Sequence, residues 1–213
     1  MYRLINENLP ELFNSIDQHK IIDPYCELVR AVRDMGVPLG VRFKQIYRKY
    51  WAMNAARLGE PFDDGYFARL DKCRKGPRID VHGAAMELIS LSATNLRPSV
   101  QFSFATKLVH MVHSDRPIYD RNIRSFLFLP SVETLNDPKA KLLRLMAHHD
   151  ALIEEYRSVL QKGQLKAAID DLRAKFKLAP SDYSDTKAID TLIWSFVTFI
   201  RRHPLGKRAL SYS

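Results

Sequence analysis

Apolar residues recur along this chain at three- and four-residue intervals, the spacing that lays one stripe along an α-helix. No segment shows the strict alternation of a half-buried strand. On this pattern residues 1–23 hold a short, mildly acidic helix. PYCELVRAVRDMG predicts a helix to about Met35, stopped by Gly36. PLGVRFKQIYRKYWAMNAARLG begins at Pro38 and ends at Gly59; Phe43, Ile46, Tyr47 and Tyr50 form its buried stripe, and Arg42, Gln45 and Lys49 fall on another face. DDGYFARLDKCRKG is closed by Gly76-Pro77, and VHGAAMELISLSAT is a further apolar helix. One helix follows Pro98 with Ser99 as its N-cap, and Asp120 opens another through IRSFLFL. A long helix runs from about Lys139 to Gln161, QLKAAIDDLRAKFK supplies the next, and the last starts near Ser184 and ends by His203-Pro204. The expected fold is all-α, about eight helices. It would be a single domain over 1–213, in which two helical lobes would leave a groove near residues 99–125.

Composition sharpens this picture. A chain of 213 residues, 46% of them hydrophobic, is long and apolar enough to bury a sizeable core. Lys and Arg number 33 against 24 Asp and Glu, a net charge of +9 that favours a polyanionic partner, DNA foremost. Cys26 and Cys73 stand far apart with no CxxC, which excludes a disulfide scaffold and a cysteine-rich zinc site. MYRLINENLPELF lacks a basic segment followed by an apolar one, so no signal peptide is expected. AIDTLIWSFVTFI is too short, and with Asp190 too polar, to span a bilayer. The expectation is a reducing, cytoplasmic setting with no membrane partner. With 8 glycines and no Gly-rich strand-to-helix turn, dinucleotide-binding and P-loop folds are disfavoured, and no cofactor is expected.

The stretch least like generic helix is QFSFATKLVHMVHSDRPIYDRNI, residues 101–123. Ala105, Leu108, Val109 and Val112 form a core stripe, and Lys107 lies off it in a polar file with Ser103, His110 and Ser114. A lysine so placed is ordinarily a snorkelling side chain on a half-solvated face. Asp120, in PIYDRNI, sits where an N-cap belongs and can accept the backbone N–H groups of Asn122 or Ile123. Capping and chemistry are compatible. A carboxylate at a helix N-terminus is rigid, kept ionised by the dipole, and aimed into whatever cleft the turn faces.

ATKLVHMV followed by PIYDRNI resembles the centre of the helix-hairpin-helix DNA glycosylases, in particular the 8-oxoguanine type. There the second hairpin helix begins Thr-Lys, here Thr106-Lys107, and a Pro-containing turn delivers an Asp, here Asp120. The closing YSDTKAIDTLIWSFV is similar to the C-terminal helix of small bacterial proteins that share this central stretch. The resemblance implies a helix-hairpin-helix glycosylase-like arrangement and a DNA-repair hydrolase or lyase. In that chemistry the Lys107 amine attacks C1′ of a flipped-out damaged nucleotide to give a Schiff base, and β-elimination then nicks the strand. Asp120 stabilises the oxocarbenium-like sugar and helps activate the nucleophile. Ser103, His110 and Tyr119 are supporting residues in this scheme. Desolvation by Phe104 and Met111, or a charged His110, would hold the lysine partly neutral. Two departures stand beside the match. RPSVQFSFA has no glycine where the family carries a Gly-rich hairpin, and the lysine-to-Asp interval is 13 residues, shorter than usual for the family.

Other constellations point less far. His110 and His113 are three apart and His148-His149 adjacent, but no HExxH or facial-triad spacing appears, so no metal is expected. YRKYWAM interleaves aromatics with Arg48 and Lys49, a pattern open both to core packing and to base stacking. The residues expected to contact nucleic acid are Arg42, Lys49, Arg121, Asn122, Arg201 and Arg202, with the basic tail RRHPLGKR as a further phosphate contact. Two function classes remain: a base-excision enzyme using Lys107 and Asp120, and a non-catalytic helical module that binds nucleic acid or a protein partner, as in a bacterial defence locus.

Overall fold

Polar and proline-bearing interruptions divide the chain more finely than its hydrophobic pattern does. A computed structural model describes residues 1–56, 58–76, 79–92 and 99–202. Among these there are twelve α-helices, one π-helical turn and no strand. The fold is all-α. The number exceeds the expected eight or so: the pattern marks ten helical segments, and two of them are each broken into two α-helices.

The first break is at the N-terminus. Residues expected as one helix form α1 (Tyr2–Glu7), α2 (Leu9–Ser15) and a π-helical turn (Gln18–Ile22), with Pro10 near the start of α2. Asp17 caps the turn by accepting the N–H of Lys20. α3 (Asp23–Arg33) follows and buries Tyr25, Cys26, Leu28, Val29 and Val32, the stripe its spacing predicts. Its C-terminal carbonyls meet a buried cation. Arg74 donates to the carbonyls of Ala31 at 3.1 Å, Asp34 at 2.7 Å and Val37 at 2.7 Å, and pairs with Asp71 at 2.7 Å. These bonds give a donor to carbonyls at and just beyond the end of α3, where the helical ladder has run out.

The second break falls inside the segment expected to run from Pro38 to Gly59. α4 (Val41–Tyr50) ends at Trp51, and Ala52 takes a left-handed backbone with φ 54°, so the helix cannot continue into α5 (Met53–Ala56). Phe43 and Tyr47 are buried as expected; Ile46 and Tyr50 are only half-buried, because they wall a cavity. Arg42, Gln45 and Lys49 are exposed. α6 (Glu60–Lys75) and α7 (Val81–Ser92) lead to α8 (Phe102–Val112). Ser99 is not its N-cap. Gln101 holds that position without a side-chain cap, while Ser99 N–H donates to Ser92 Oγ at 3.2 Å and ties the end of α7 to the start of α8.

α9 (Arg121–Phe126), α10 (Pro138–Gln161), α11 (Lys166–Phe176) and α12 (Asp185–Arg202) complete the chain. α10 is 24 residues long, about 36 Å. It starts from Asp137, which accepts the N–H groups of Lys139 and Ala140 ahead of Pro138 at the first helical position. α12 runs through the interior, packing on α1, α2, α9, α10 and α11. It buries Ile189, Leu192, Ile193, Phe196 and Val197, and with them the polar Lys187, Asp190 and Thr191. Apolar side chains from α1 to α12 join in one contiguous core. No helix among the described residues is long and apolar enough to cross a membrane. Cys26 and Cys73 are buried free thiols.

Candidate active site

Charged side chains buried in a helix need partners, and Lys187 and Asp190 of α12 meet at a cavity of about 670 Å³. It opens where the end of α4, the middle of α8, the start of α9 and the first half of α12 converge. Its volume lies within the range of roughly 300–1,000 Å³ typical of ligand pockets. Lys107 and Asp120 both line it. Tyr50, Trp51 and Trp194 give aromatic walls, and His19, Lys20, Arg42 and Lys49 add basic groups to the lining.

The two central residues come together through a clasp at the preceding position of each. Thr106, fully buried, accepts the N–H of Tyr119 at 3.1 Å through Oγ1, and its hydroxyl lies 3.4 Å from the Tyr119 carbonyl. Helix α8 is thus pinned to the turn before Asp120, so the 13-residue interval places both side chains at one cavity. Lys107 is half-buried, and its Nζ donates to the carbonyl of Trp51 at 3.3 Å. The same ammonium lies 4.9 Å from the Phe104 ring and 5.5 Å from the Trp51 ring. Burial pushes the Lys107 amine below the ordinary lysine range, against the pull of Asp120 and Asp190 and with the help of the neighbouring Lys187 cation.

Asp120 caps α9 as its position predicts. Its Oδ1 accepts the N–H of Asn122 at 2.8 Å and of Ile123 at 2.9 Å, so both cap bonds fall on one oxygen. Burial raises this carboxyl above the usual carboxylate range, with the Asp190 charge adding to the rise and the two cap bonds and Lys107 opposing it.

α12 contributes a second lysine–carboxylate pair to the same cavity. Lys187 Nζ donates to Asp190 Oδ2 at 2.8 Å, with both side chains nearly inaccessible. Three rings surround the ammonium: Tyr25 at 5.0 Å, Trp51 at 5.3 Å and Tyr50 at 5.7 Å. Burial, the largest single influence, would lower this amine, but the Asp190 carboxylate, Tyr183 and Tyr25 together outweigh it and hold Lys187 above the ordinary lysine range.

The supporting residues fall elsewhere. His110 is fully buried and acts as scaffold, with Nε2 2.7 Å from Tyr25 Oη and Nδ1 2.6 Å from the Arg116 carbonyl. Burial, with the Lys187 cation, lowers its pKa to about 3, so it is neutral and supplies no charge to depress Lys107. Lys187 takes that part. The polar file is therefore not a solvated face: its third member is core. Ser103 is half-buried, accepts the Thr106 hydroxyl at 3.0 Å through its carbonyl, and does not line the cavity. Tyr119 is buried outside the lining, its hydroxyl 3.1 Å from His148 Nδ1; burial pushes it up to about 12.

The expected nucleic-acid contacts divide into two groups. Arg42 and Lys49 lie at the cavity, where Arg42 pairs with Glu27 at 2.9 Å. Arg121 and Arg202 are exposed away from its lining, and Arg201 is tied to α9, donating to Asn122 Oδ1 and, at 3.3 Å, to Ser125 Oγ. Most of the tail RRHPLGKR lies outside the described residues, as do Arg97 and Pro98 of RPSVQFSFA. Lys187, Asp190, Thr191 and Trp194 were not marked by the sequence as site residues. Their signal was four polar or aromatic positions breaking an otherwise apolar helix. Among the described residues no group of three or more His, Cys, Asp or Glu is placed to hold a metal ion. Comparison with protein-family models, curated proteins and solved structures finds no match for this chain.

Proposed function

We propose that this protein is a DNA-binding base-excision enzyme, a glycosylase with lyase activity, in a helix-hairpin-helix glycosylase-like arrangement. Lys107 is the nucleophile and Asp120 the stabilising carboxylate. One observation carries the proposal: an amine disposed towards neutrality and a helix-capping carboxylate line the same aromatic-walled cavity. A flipped nucleotide has a neutral, polarisable face that suits Tyr50, Trp51 and Trp194, and its flanking phosphates suit the basic lining residues Lys20, Arg42 and Lys49.

The chemistry follows from those groups. The unprotonated Lys107 Nζ attacks C1′ of the extruded nucleotide as the bond from C1′ to the base breaks. The departing base takes the electron pair and acquires a proton, balancing the one that the lysine nitrogen loses. Asp120 faces the positive charge that develops on the sugar during this step. The C1′–O4′ bond then breaks, O4′ keeping the electron pair and taking a proton from water, while the nitrogen lone pair forms the iminium between Lys107 and C1′. Loss of a C2′ proton then expels the 3′ phosphate and nicks the strand.

The test is borohydride trapping on duplex DNA containing an abasic site or an oxidised purine. Reduction of the iminium gives a stable protein–DNA adduct. A Lys107-dependent adduct supports the enzyme. Salt-sensitive DNA binding with no adduct on either substrate moves the protein to the non-catalytic class, and absence of DNA binding at low salt moves it to a protein-binding module.

A further inference from the structure

The cavity holds two lysines and two aspartates, yet they are not two equivalent pairs. Lys187 and Asp190 are in direct contact at 2.8 Å, whereas Lys107 Nζ meets a backbone carbonyl and two ring faces. Trp51 separates their roles: its ring faces both ammonium groups, at 5.5 Å from Lys107 and 5.3 Å from Lys187. Asp120 spends Oδ1 on capping α9. The unfixed question is which lysine the buried Asp190 carboxylate serves.

We infer that Lys187 is a positioning residue for Lys107: by holding Asp190 in an ion pair it keeps that carboxylate from becoming the counter-ion of Lys107. Asp190 cannot stay buried and ionised without a partner, because an unpaired buried charge is among the costliest groups in a protein interior. It has two ammonium groups within electrostatic reach. The aromatic box of Tyr25, Tyr50 and Trp51 fixes one of them, Lys187, three residues before Asp190 on the same helix, so the short local pair wins. Lys107 is left free of a partner on α12 and available for nucleophilic work.

The charged groups facing Lys107 are accounted for on each neighbouring element. Asp120 faces it from α9, and Lys187 and Asp190 from α12. α4 offers the Trp51 carbonyl, and its charged side chains in the cavity lining are Arg42 and Lys49. Glu27 of α3 pairs with Arg42; His19 and Lys20 of the π-helical turn complete the ionisable lining. Of these, only Asp190 is in direct contact with Lys187.

This inference rests on Lys107 being the reactive amine of the proposed function, but its test needs no DNA. Protein labelled with 13C-lysine is titrated by NMR, and the Lys107 Cε signal is assigned by its loss in Lys107→Gln. In wild type the Lys107 midpoint lies below that of an ordinary lysine. In Lys187→Met, Asp190 turns to Lys107, and its midpoint rises by about one pH unit or more, a tenfold or greater fall in the neutral fraction at pH 7. Lys187→Arg keeps the pair and keeps the wild-type midpoint. Lys187→Met with Asp190→Leu removes both charges and returns Lys107 to near the wild-type midpoint.

Should Lys187→Met fail to fold, Asp190→Asn tests the same assignment from the other side. Two unpaired ammonium groups then share one cavity, and the lower of their two midpoints falls below that of wild-type Lys107. A Lys107 midpoint that is unmoved in folded Lys187→Met, or two unmoved midpoints in Asp190→Asn, overturns the inference. The proposed enzyme function fails separately: no borohydride adduct forms although the lysine midpoints shift as stated.

Discussion

Lys107 Nζ donates to the carbonyl of Trp51, 3.3 Å away and 56 residues earlier in the chain. That carbonyl is available because Ala52 adopts a left-handed backbone directly after α4, which ends the helical ladder at this point. The carbonyl end of α4 is the negative end of its dipole and steadies the ammonium form, while burial among rings opposes it. The net effect lowers the amine below the ordinary lysine range.

Replacing the lysine separates chemistry from folding. Lys107→Gln abolishes borohydride trapping and leaves the melting temperature unchanged or higher, because it removes a cation whose burial is unfavourable. The sign follows from the lowered amine pKa: between its folded value and about 10.4 the unfolded chain binds more protons, so wild-type stability rises with pH there. Lys107→Gln loses that rise. Urea unfolding at pH 8 and pH 10, run beside the trapping assay, measures both effects.

Asp120→Asn slows the reaction at little cost in stability, since Asn caps a helix about as well as Asp. The Asp120 carboxyl is raised, so the folded form binds the extra proton between about pH 3.9 and its folded value. Its contribution is favourable in acid and lost as pH climbs through that window, and Asp120→Asn removes this loss at pH 7. Asp120→Ala, by contrast, forfeits the cap and costs about 1 kcal/mol. Chemical denaturation of the two variants at pH 7 distinguishes them.

His110 makes the protein acid-sensitive. Its folded pKa is about 3, against about 6.5 when unfolded, so its contribution is complete above pH 6.5 and declines as pH falls towards 3. From this residue alone, stability drops by about 2.5 kcal/mol between pH 7 and pH 4.5, an order-of-magnitude figure. His110→Gln flattens that part of the profile. Equal slopes for the variant and wild type in urea titrations at the two pH values would overturn the assignment.

Arg74 is a structural cation with no exposed side-chain surface. Arg74→Met takes the donor from three part-buried carbonyls and one of two cations from Asp71, which keeps Lys75, and costs about 1–3 kcal/mol. The measurement is the urea midpoint at constant m-value.

The proposed DNA binding predicts an affinity that falls with salt, with a log–log slope of about −0.9 per phosphate neutralised. Arg42→Ala with Lys49→Ala removes two exposed cations from the cavity lining, reduces the slope by about 2, and leaves the melting temperature nearly unchanged. Fluorescence anisotropy over a salt series reads the slope directly.

The sequence by itself determined the all-helical class and most of the helices, because a 3.6-residue hydrophobic period is a local property of the chain. It also determined the Asp120 cap, whose partners are two and three residues away. Lys107 and Asp120 stood out as candidates for the same reason: each departs from its local pattern. The tertiary structure decided what surrounds them. The left-handed turn at Ala52 has no glycine to announce it, so the break between α4 and α5 and the carbonyl given to Lys107 were hidden. His110 belongs by spacing to a polar file, and only its partners Tyr25, 85 residues earlier, and Arg116 show it to be core. Lys187 and Asp190 read as polar interruptions of an apolar helix. They became the second charged pair of the cavity because α12 runs through the interior, where a buried charge must be paired, and there the rings of Tyr25, Tyr50 and Trp51 close over the Lys187 ammonium.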